Sequence, residues 1–311
     1  MTSEASRDGD AAEGDLAELV PDVEAMAARL EGAGYLTDEG LATAMFLSLR
    51  LPQPLLLEGE AGVGKTEAAK ALAAALDTPL IRLQCYEGID AAEALYEWNY
   101  PRQLLRIRLA EAGGEEIGEE GLFAPEYLIR RPLLRALEHP GPRPAVLLVD
   151  ELDRADDDFE AFLFELLGES TVTVPEIGTI AATHPPAVVL TSNRTRDLHD
   201  ALKRRCLYHW IDYPSPQREV EIVRRRVPWA SQRLAVEVAG TLERLRAGDV
   251  QKPPGIAEAI DWVSALDLLG IERLDAAAAD RTLGSVLKYR EDQELVRAEG
   301  LERLVGARRG G

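Results

Sequence analysis

Apolar residues fall into five short, nearly unbroken runs along the first two thirds of the chain: 55–57, 79–83, 144–149, 187–190 and 207–211. Runs of this length, ending in polar or turn residues, predict strands buried on both faces, as in a parallel sheet. Helical spacing lies between them. The alanine-rich run 68–76, the segment 156–167 stopped by Gly168, and the short 197–203 each predict a helix. Strand and helix in alternation predict an α/β domain built on a five-stranded parallel sheet with helices on both faces. From residue 215 the strand pattern ends. Periodicity over 215–227, 229–245, 254–269 and 276–290, with a charged helix to 305, predicts an all-helical second domain over 215–311, frayed from 308.

Ahead of the first strand, residues 1–15 carry five acidic side chains and almost nothing apolar, which predicts a disordered acidic tail. Leu16, Leu19, Val20, Val23, Met26 and Leu30 recur at helical spacing and predict one amphipathic helix over 16–30. A second helix, with Thr37 as its candidate N-cap, runs to about residue 50 and delivers the chain to the sheet. The α/β domain is therefore set at 16–214. The Gly34-Tyr35-Leu36 turn between these helices carries two readings: a surface packed on adenine, or an ordinary helix connection. Two β-like runs, 171–175 and 178–182, around a Glu-Ile-Gly turn predict an inserted hairpin.

Composition narrows the field. With 35 basic and 55 acidic side chains the net charge is −20, which repels nucleic acid at long range and argues against a nucleic-acid partner. Cys85 and Cys206, the two cysteines, match no paired motif, so a reducing cytoplasmic compartment is the expectation. No apolar run reaches membrane-spanning length, and the acidic start lacks a signal peptide's pattern. None of the four histidines is spaced from another as a metal ligand pair.

The chemistry is concentrated after the first strand. Gly59-Glu60-Ala61-Gly62-Val63-Gly64-Lys65-Thr66 fits G-x-x-x-x-G-K-[ST] between a strand and a helix. In such a loop the backbone N–H groups face the α- and β-phosphates of a nucleotide. Lys65 reaches the β- and γ-phosphates, and the Thr66 hydroxyl binds Mg²⁺. The third apolar run ends in Asp150-Glu151, where Asp150 suits the Mg²⁺ hydration shell and Glu151 suits the polarisation of an attacking water. Asn193 ends the next strand, in place to orient that water or touch the γ-phosphate. ATP and Mg²⁺ are the expected ligands. Between residues 86 and 120, and again near 130, Tyr96, Trp98 and Tyr100 lie among Arg102, Arg106, Arg108, Arg130, Arg131 and Arg135. These residues suit the gripping of a polypeptide or RNA, or equally half-buried aromatics beside solvated arginines.

In this order, P-loop, Leu-Val-Asp-Glu, hairpin, Thr-Ser-Asn, Arg-Arg and helical domain resemble the AAA+ ATPases, near the MoxR-type branch. The wording of 81–88, 95–100 and 201–214 is similar to the accessory ATPases of aerobic carbon-monoxide dehydrogenase gene clusters. The resemblance implies an ATPase with a C-terminal helical lid, working as a ring, usually a hexamer, with ATP between subunits. It also implies chaperone-like maturation of a metalloenzyme client with a von Willebrand A-domain partner. Carried over residue by residue, Gly59 to Thr66 are Walker A, Asp150 and Glu151 Walker B, and Asn193 sensor 1. Arg205 matches the arginine finger entering a neighbour's site, with Arg204 as the alternative. The hairpin matches a pre-sensor-1 insertion, and 86–120 the region of a helix-2 insertion. The lid helix departs from the pattern: Pro253-Pro254-Gly255 stand where many relatives carry a sensor 2 arginine, leaving Lys252 or nothing in that role. The same core also serves nucleic-acid motors and clamp loaders, and a scaffold that senses ATP without turning it over.

Overall fold

The computed structural model describes residues 15–51, 53–114, 118–169 and 171–306. The tail expected over 1–15, except Asp15, lies outside the described residues, as do 115–117 of the expected helix-2 insertion region and the end expected to fray. Asp15 opens a helical turn, and its carboxylate pairs with Arg143 at 2.6 Å.

The strands, in chain order, are β1 (Leu55–Gly59), β2 (Leu80–Gln84), β3 (Tyr96–Trp98), β4 (Leu128–Arg130), β5 (Val146–Asp150), β6 (Thr171–Val174), β7 (Gly178–Ala181), β8 (Ala187–Ser192) and β9 (Leu207–Ile211). Five of them form one sheet in the order β2-β5-β8-β1-β9. The register places Leu83 against Val149, Leu147 against Val188 and Leu57 against Thr191, all in parallel pairs. β1 and β5 are buried at every position, which is why their sequences run apolar without alternation. The hairpin forms as β6 and β7, antiparallel, with Val174 opposite Gly178.

The chain divides into two compact units. One holds residues up to Glu58 together with Thr66–Trp210; its core joins Leu56, Leu147 and Leu190 of the sheet to Leu134, Leu137 and Leu163 of the helices. The other holds Gly59–Lys65 together with Ile211 onward. Its helices Pro216–Arg226, Gln232–Arg246 and Ile256–Leu268 pack around the fully buried Trp262, whose indole N–H donates to Thr282 Oγ1 at 2.7 Å.

Several expected boundaries move. The helix expected over 16–30 is broken: the chain leaves helix at Val20-Pro21, and Asp22 caps a new helix, Val23–Gly32, by accepting the Ala25 N–H. Proline restricts the residue before it and cannot donate to the preceding turn. Asp38, not Thr37, caps the next helix, Glu39–Arg50, with Oδ1 2.7 Å from Leu41 N. The helix after β5 runs through Gly168 to Glu169. The helix expected over 276–290 ends at Thr282; the next, Arg290–Glu299, stops at Gly300, where φ is +98°.

Candidate functional site

In a parallel sheet the carboxyl ends of neighbouring strands share one edge, so β5 and β8 bring Asp150, Glu151, Thr191 and Asn193 together. Asp150 is buried there, and each of its oxygens is in use. Thr191 Oγ1 donates to Oδ1 at 2.6 Å, and Thr66 Oγ1 lies 3.1 and 3.2 Å from Oδ1 and Oδ2. Arg82, from β2, places Nε and Nη2 on Oδ2 at 2.9 and 2.6 Å. A hydroxyl and a carboxylate are the hard oxygen donors Mg²⁺ takes while keeping most of its water, so Thr66 and Asp150 fit that ion. No group of three or more His, Cys, Asp or Glu able to hold a metal occurs among the described residues.

Glu151 has φ +56°, in the left-handed region, a conformation costing a side-chain-bearing residue about 1 kcal/mol or more. Thr191 helps to hold it there, accepting the Glu151 N–H at 2.9 Å, while Arg154 Nη1 donates to Glu151 Oε2 at 2.9 Å. Asn193, half-buried, is fixed from below by a residue outside the sequence motifs. The buried Asp153 accepts the Asn193 N–H at 3.2 Å, the Thr195 N–H at 2.9 Å and the Thr195 hydroxyl at 2.6 Å. The next residue, Arg194, is again left-handed and faces the buried Glu58 at 3.7 Å, with its guanidinium over the Trp210 ring. In the sequence, Asp153 stands out only as a polar residue flanking a motif, and Thr191 only as the first residue of the Thr-Ser-Asn run, with nothing to mark its hydroxyl for this role.

The glycine loop belongs to the other unit. Gly62 and Gly64 have φ of +78° and +101°, which glycine adopts without strain. Lys65 is buried, and its ammonium donates to the carbonyls of Gly59 and Glu60, both at 2.7 Å. The loop is also tied to the start of the helix Ile256–Leu268: Ile256 N–H donates to Gly62 O at 2.9 Å, and Glu258 accepts the Gly255 N–H at 2.9 Å. Behind that turn the buried pair Arg246–Glu219 closes at 2.7 Å, and Arg246 also donates to Pro254 O and covers the Tyr213 ring. Burial, helped by Glu60 and Glu258 and opposed by Arg246, raises the Tyr213 hydroxyl above its ordinary value.

Arg205 is exposed at the end of the short helix Asp200–Lys203, its guanidinium against Gly168; Arg204 caps that helix. The structure does not bring either to Asp150 within the chain. Tyr35 and Leu36 are half-buried in a turn where the Tyr35 N–H closes the preceding helix on Leu30 O. Lys252 lies over the Tyr289 ring, with its N–H on Asp292. Trp98 and Tyr127 are buried, Trp98 packing edge-on against Tyr96 and Phe123, whereas Tyr100 is exposed. Cys85, at the end of β2, is pushed up to about 12 by burial and then by the carboxylates of Asp150, Asp153, Glu151 and Glu160, so it stays a thiol.

Residues 54–206 match the family model of the AAA domain, dynein-related subfamily. The chain is 27% identical over 212 residues to the protein NorQ of Paracoccus denitrificans, covering 64% of this chain and 68% of that one. It is 26% identical over 214 residues to the denitrification regulatory protein NirQ of Pseudomonas aeruginosa, covering 64% and 70%. A point mutant of Thermotoga maritima RuvB superposes with a TM-score of 0.47 at 17% identity, over 79% of this chain and 67% of that one. Residues 54–206 form an AAA-type ATPase domain similar to the dynein-related subfamily, and the chain around it is similar in sequence to NorQ and NirQ.

Proposed function

We propose that this ATPase works as a ring, a hexamer in the family pattern, and spends ATP on remodelling a metalloenzyme precursor together with a von Willebrand A-domain partner. The observation that carries the ATP chemistry is the cluster of Thr66, Asp150, Thr191 and Glu151, two hydroxyls and two carboxylates at one sheet edge, with the glycine loop joined to it by the Lys65–Thr66 peptide bond. The loop N–H groups and Lys65 hold the phosphates. Thr66 and Asp150 hold Mg²⁺, which neutralises phosphate charge when bound. Glu151, once it leaves Arg154, accepts the proton of the attacking water, and Asn193 orients that water. Arg205, exposed at the end of its helix, reaches the site of the next protomer, where a guanidinium offsets charge developing on the γ-phosphate.

The client is argued from resemblance. Residues 81–88, 95–100 and 201–214 share their wording with accessory ATPases of carbon-monoxide dehydrogenase gene clusters, which supports a molybdenum-containing dehydrogenase as the substrate. A net charge of −20 weighs against a nucleic-acid motor. The test is capture from the native cell extract with ATP and a Glu151→Gln trap. Retention of a metalloenzyme subunit and an A-domain protein supports the reading; retention of nucleic-acid-processing proteins alone overturns it.

A further inference from the structure

Asp150 accepts more bonds than a motif reading assigns it. A carboxylate offers about four lone-pair positions, and here Thr191, Thr66 and two nitrogens of Arg82 use them. A metal-bound water that donates to Asp150 must therefore replace one of these donors. The three residues are not equally able to leave. Thr191 sits on a buried strand, and its hydroxyl also carries the Glu151 N–H; Thr66 lies in the first turn of a helix, on a one-carbon tether. Arg82 alone is long and half-exposed: its side chain is 48% accessible against 3% for Asp150.

The placement of Arg82 is built, not incidental. Register sets Arg82 opposite Leu148 and Gln84 opposite Asp150, so the side chain must reach forward by two residues, about 7 Å along the strand. Gln84 guides it there: its Oε1 accepts Arg82 Nη2, and its Nε2 points to the carbonyls of Cys85 and Asp150 at 3.4 and 3.5 Å. The guanidinium fork places Nε and Nη2 together on Asp150 while Nη2 also donates to Gln84, a fixed planar geometry that the single nitrogen of an ammonium does not reproduce.

We infer that Arg82 is a positioning residue for the metal: it neutralises Asp150 until Mg²⁺ and nucleotide enter, is displaced when they do, and so sets how strongly nucleotide binding depends on magnesium. This rests on the reading that Asp150 serves Mg·ATP. Two opposite effects follow from removing the guanidinium. Without metal, the uncovered carboxylate repels the triphosphate, so nucleotide binds more weakly. With metal, no competing cation has to leave, so Mg·ATP binds as well or better. A change that merely distorted the fold would weaken both.

The experiment measures dissociation constants of a fluorescent ATP analogue for the full chain, in excess Mg²⁺ and in EDTA, and takes their ratio. Arg82→Ala should raise the Mg²⁺ enhancement about tenfold, the scale of one charge-assisted contact to a buried carboxylate. Arg82→Lys, which keeps the charge but loses the fork, should fall between it and wild type, and stands in should the alanine variant not fold. A ratio unchanged or lowered in both variants overturns the inference. Asp150→Asn separates the two layers. If wild type shows a large enhancement that Asp150→Asn abolishes while the Arg82 variants behave as wild type, only the role of Arg82 fails. If Asp150→Asn keeps the wild-type enhancement, the metal reading of Asp150 fails and the inference with it.

Discussion

Thr191 Oγ1 lies 2.6 Å from Asp150 Oδ1, and the same hydroxyl takes the amide of Glu151 at 2.9 Å. One buried side chain on β8 thus fixes both acidic residues that end β5. Thr191→Val keeps the volume but leaves a buried N–H and a carboxylate oxygen short of a partner, which costs about 1–3 kcal/mol. Urea unfolding should show that loss, and phosphate release should fall with it. Unfolding at the wild-type midpoint would mean that the hydroxyl is replaceable by water.

The turn at Gly255 touches the glycine loop closely. A Cβ there would lie 2.7 Å from the backbone C, Cα and O of Gly62, none of which can move without moving the loop. Gly255→Ala should therefore weaken ATP binding by about tenfold or more, equivalent to ~1.4 kcal/mol. Gly32→Ala, where an added Cβ meets nothing within 4 Å, is the control and should bind as wild type. Equal affinity in both variants would show that the loop accommodates the methyl group.

Arg246 and Glu219 form a pair in which Glu219 is fully buried, burial raising its carboxyl while Arg246 pulls it down. Removing one partner strands the other: Arg246→Met alone should cost about 3–5 kcal/mol. Arg246→Met with Glu219→Leu should recover most of that in thermal melts. A double variant no more stable than the single would locate the loss in the Pro254 contact instead.

Burial holds both thiols protonated, Cys85 and Cys206 each pushed up to about 12. An unfolded thiol ionises near 9.0, so this contribution to stability is complete below that pH and is lost as pH rises toward about 12. Iodoacetamide at pH 8 should leave the buried Cys85 unmodified in the folded protein, label the half-buried Cys206 slowly, and label both rapidly in denaturant, read by intact mass. Rapid labelling of Cys85 in the native chain would contradict its burial.

The central strands β1, β5 and β8 are legible in the sequence because they are buried on both faces, which writes them as apolar runs such as 144–149, too short and too sharply bounded for helices. At the sheet edges, β2 and β9 are only partly buried, with Arg82 and Tyr208 exposed among their apolar residues. The short pair β3 and β4 is not: three residues are too few to show alternation, and Trp98 reads equally as a gripping or a half-buried aromatic until Phe123 packs on it in the fold. Pro21 and Asp22 do signal a helix break, but the apolar spacing on either side stays in phase and masks it. Within the site, the motif residues stand out by spacing. Thr191, Asp153 and Arg82 do not, because their partners lie about 40 to 70 residues away, and only strand pairing joins them.

The most direct test of the central claim, that Mg·ATP is cleaved at the Asp150–Glu151 edge, is Glu151→Gln assayed for nucleotide binding and phosphate release in one preparation. Binding should stay close to wild type while release falls by about 10²-fold or more, the range of a lost general base. Release at the wild-type rate would remove Glu151 from the reaction and contradict the account.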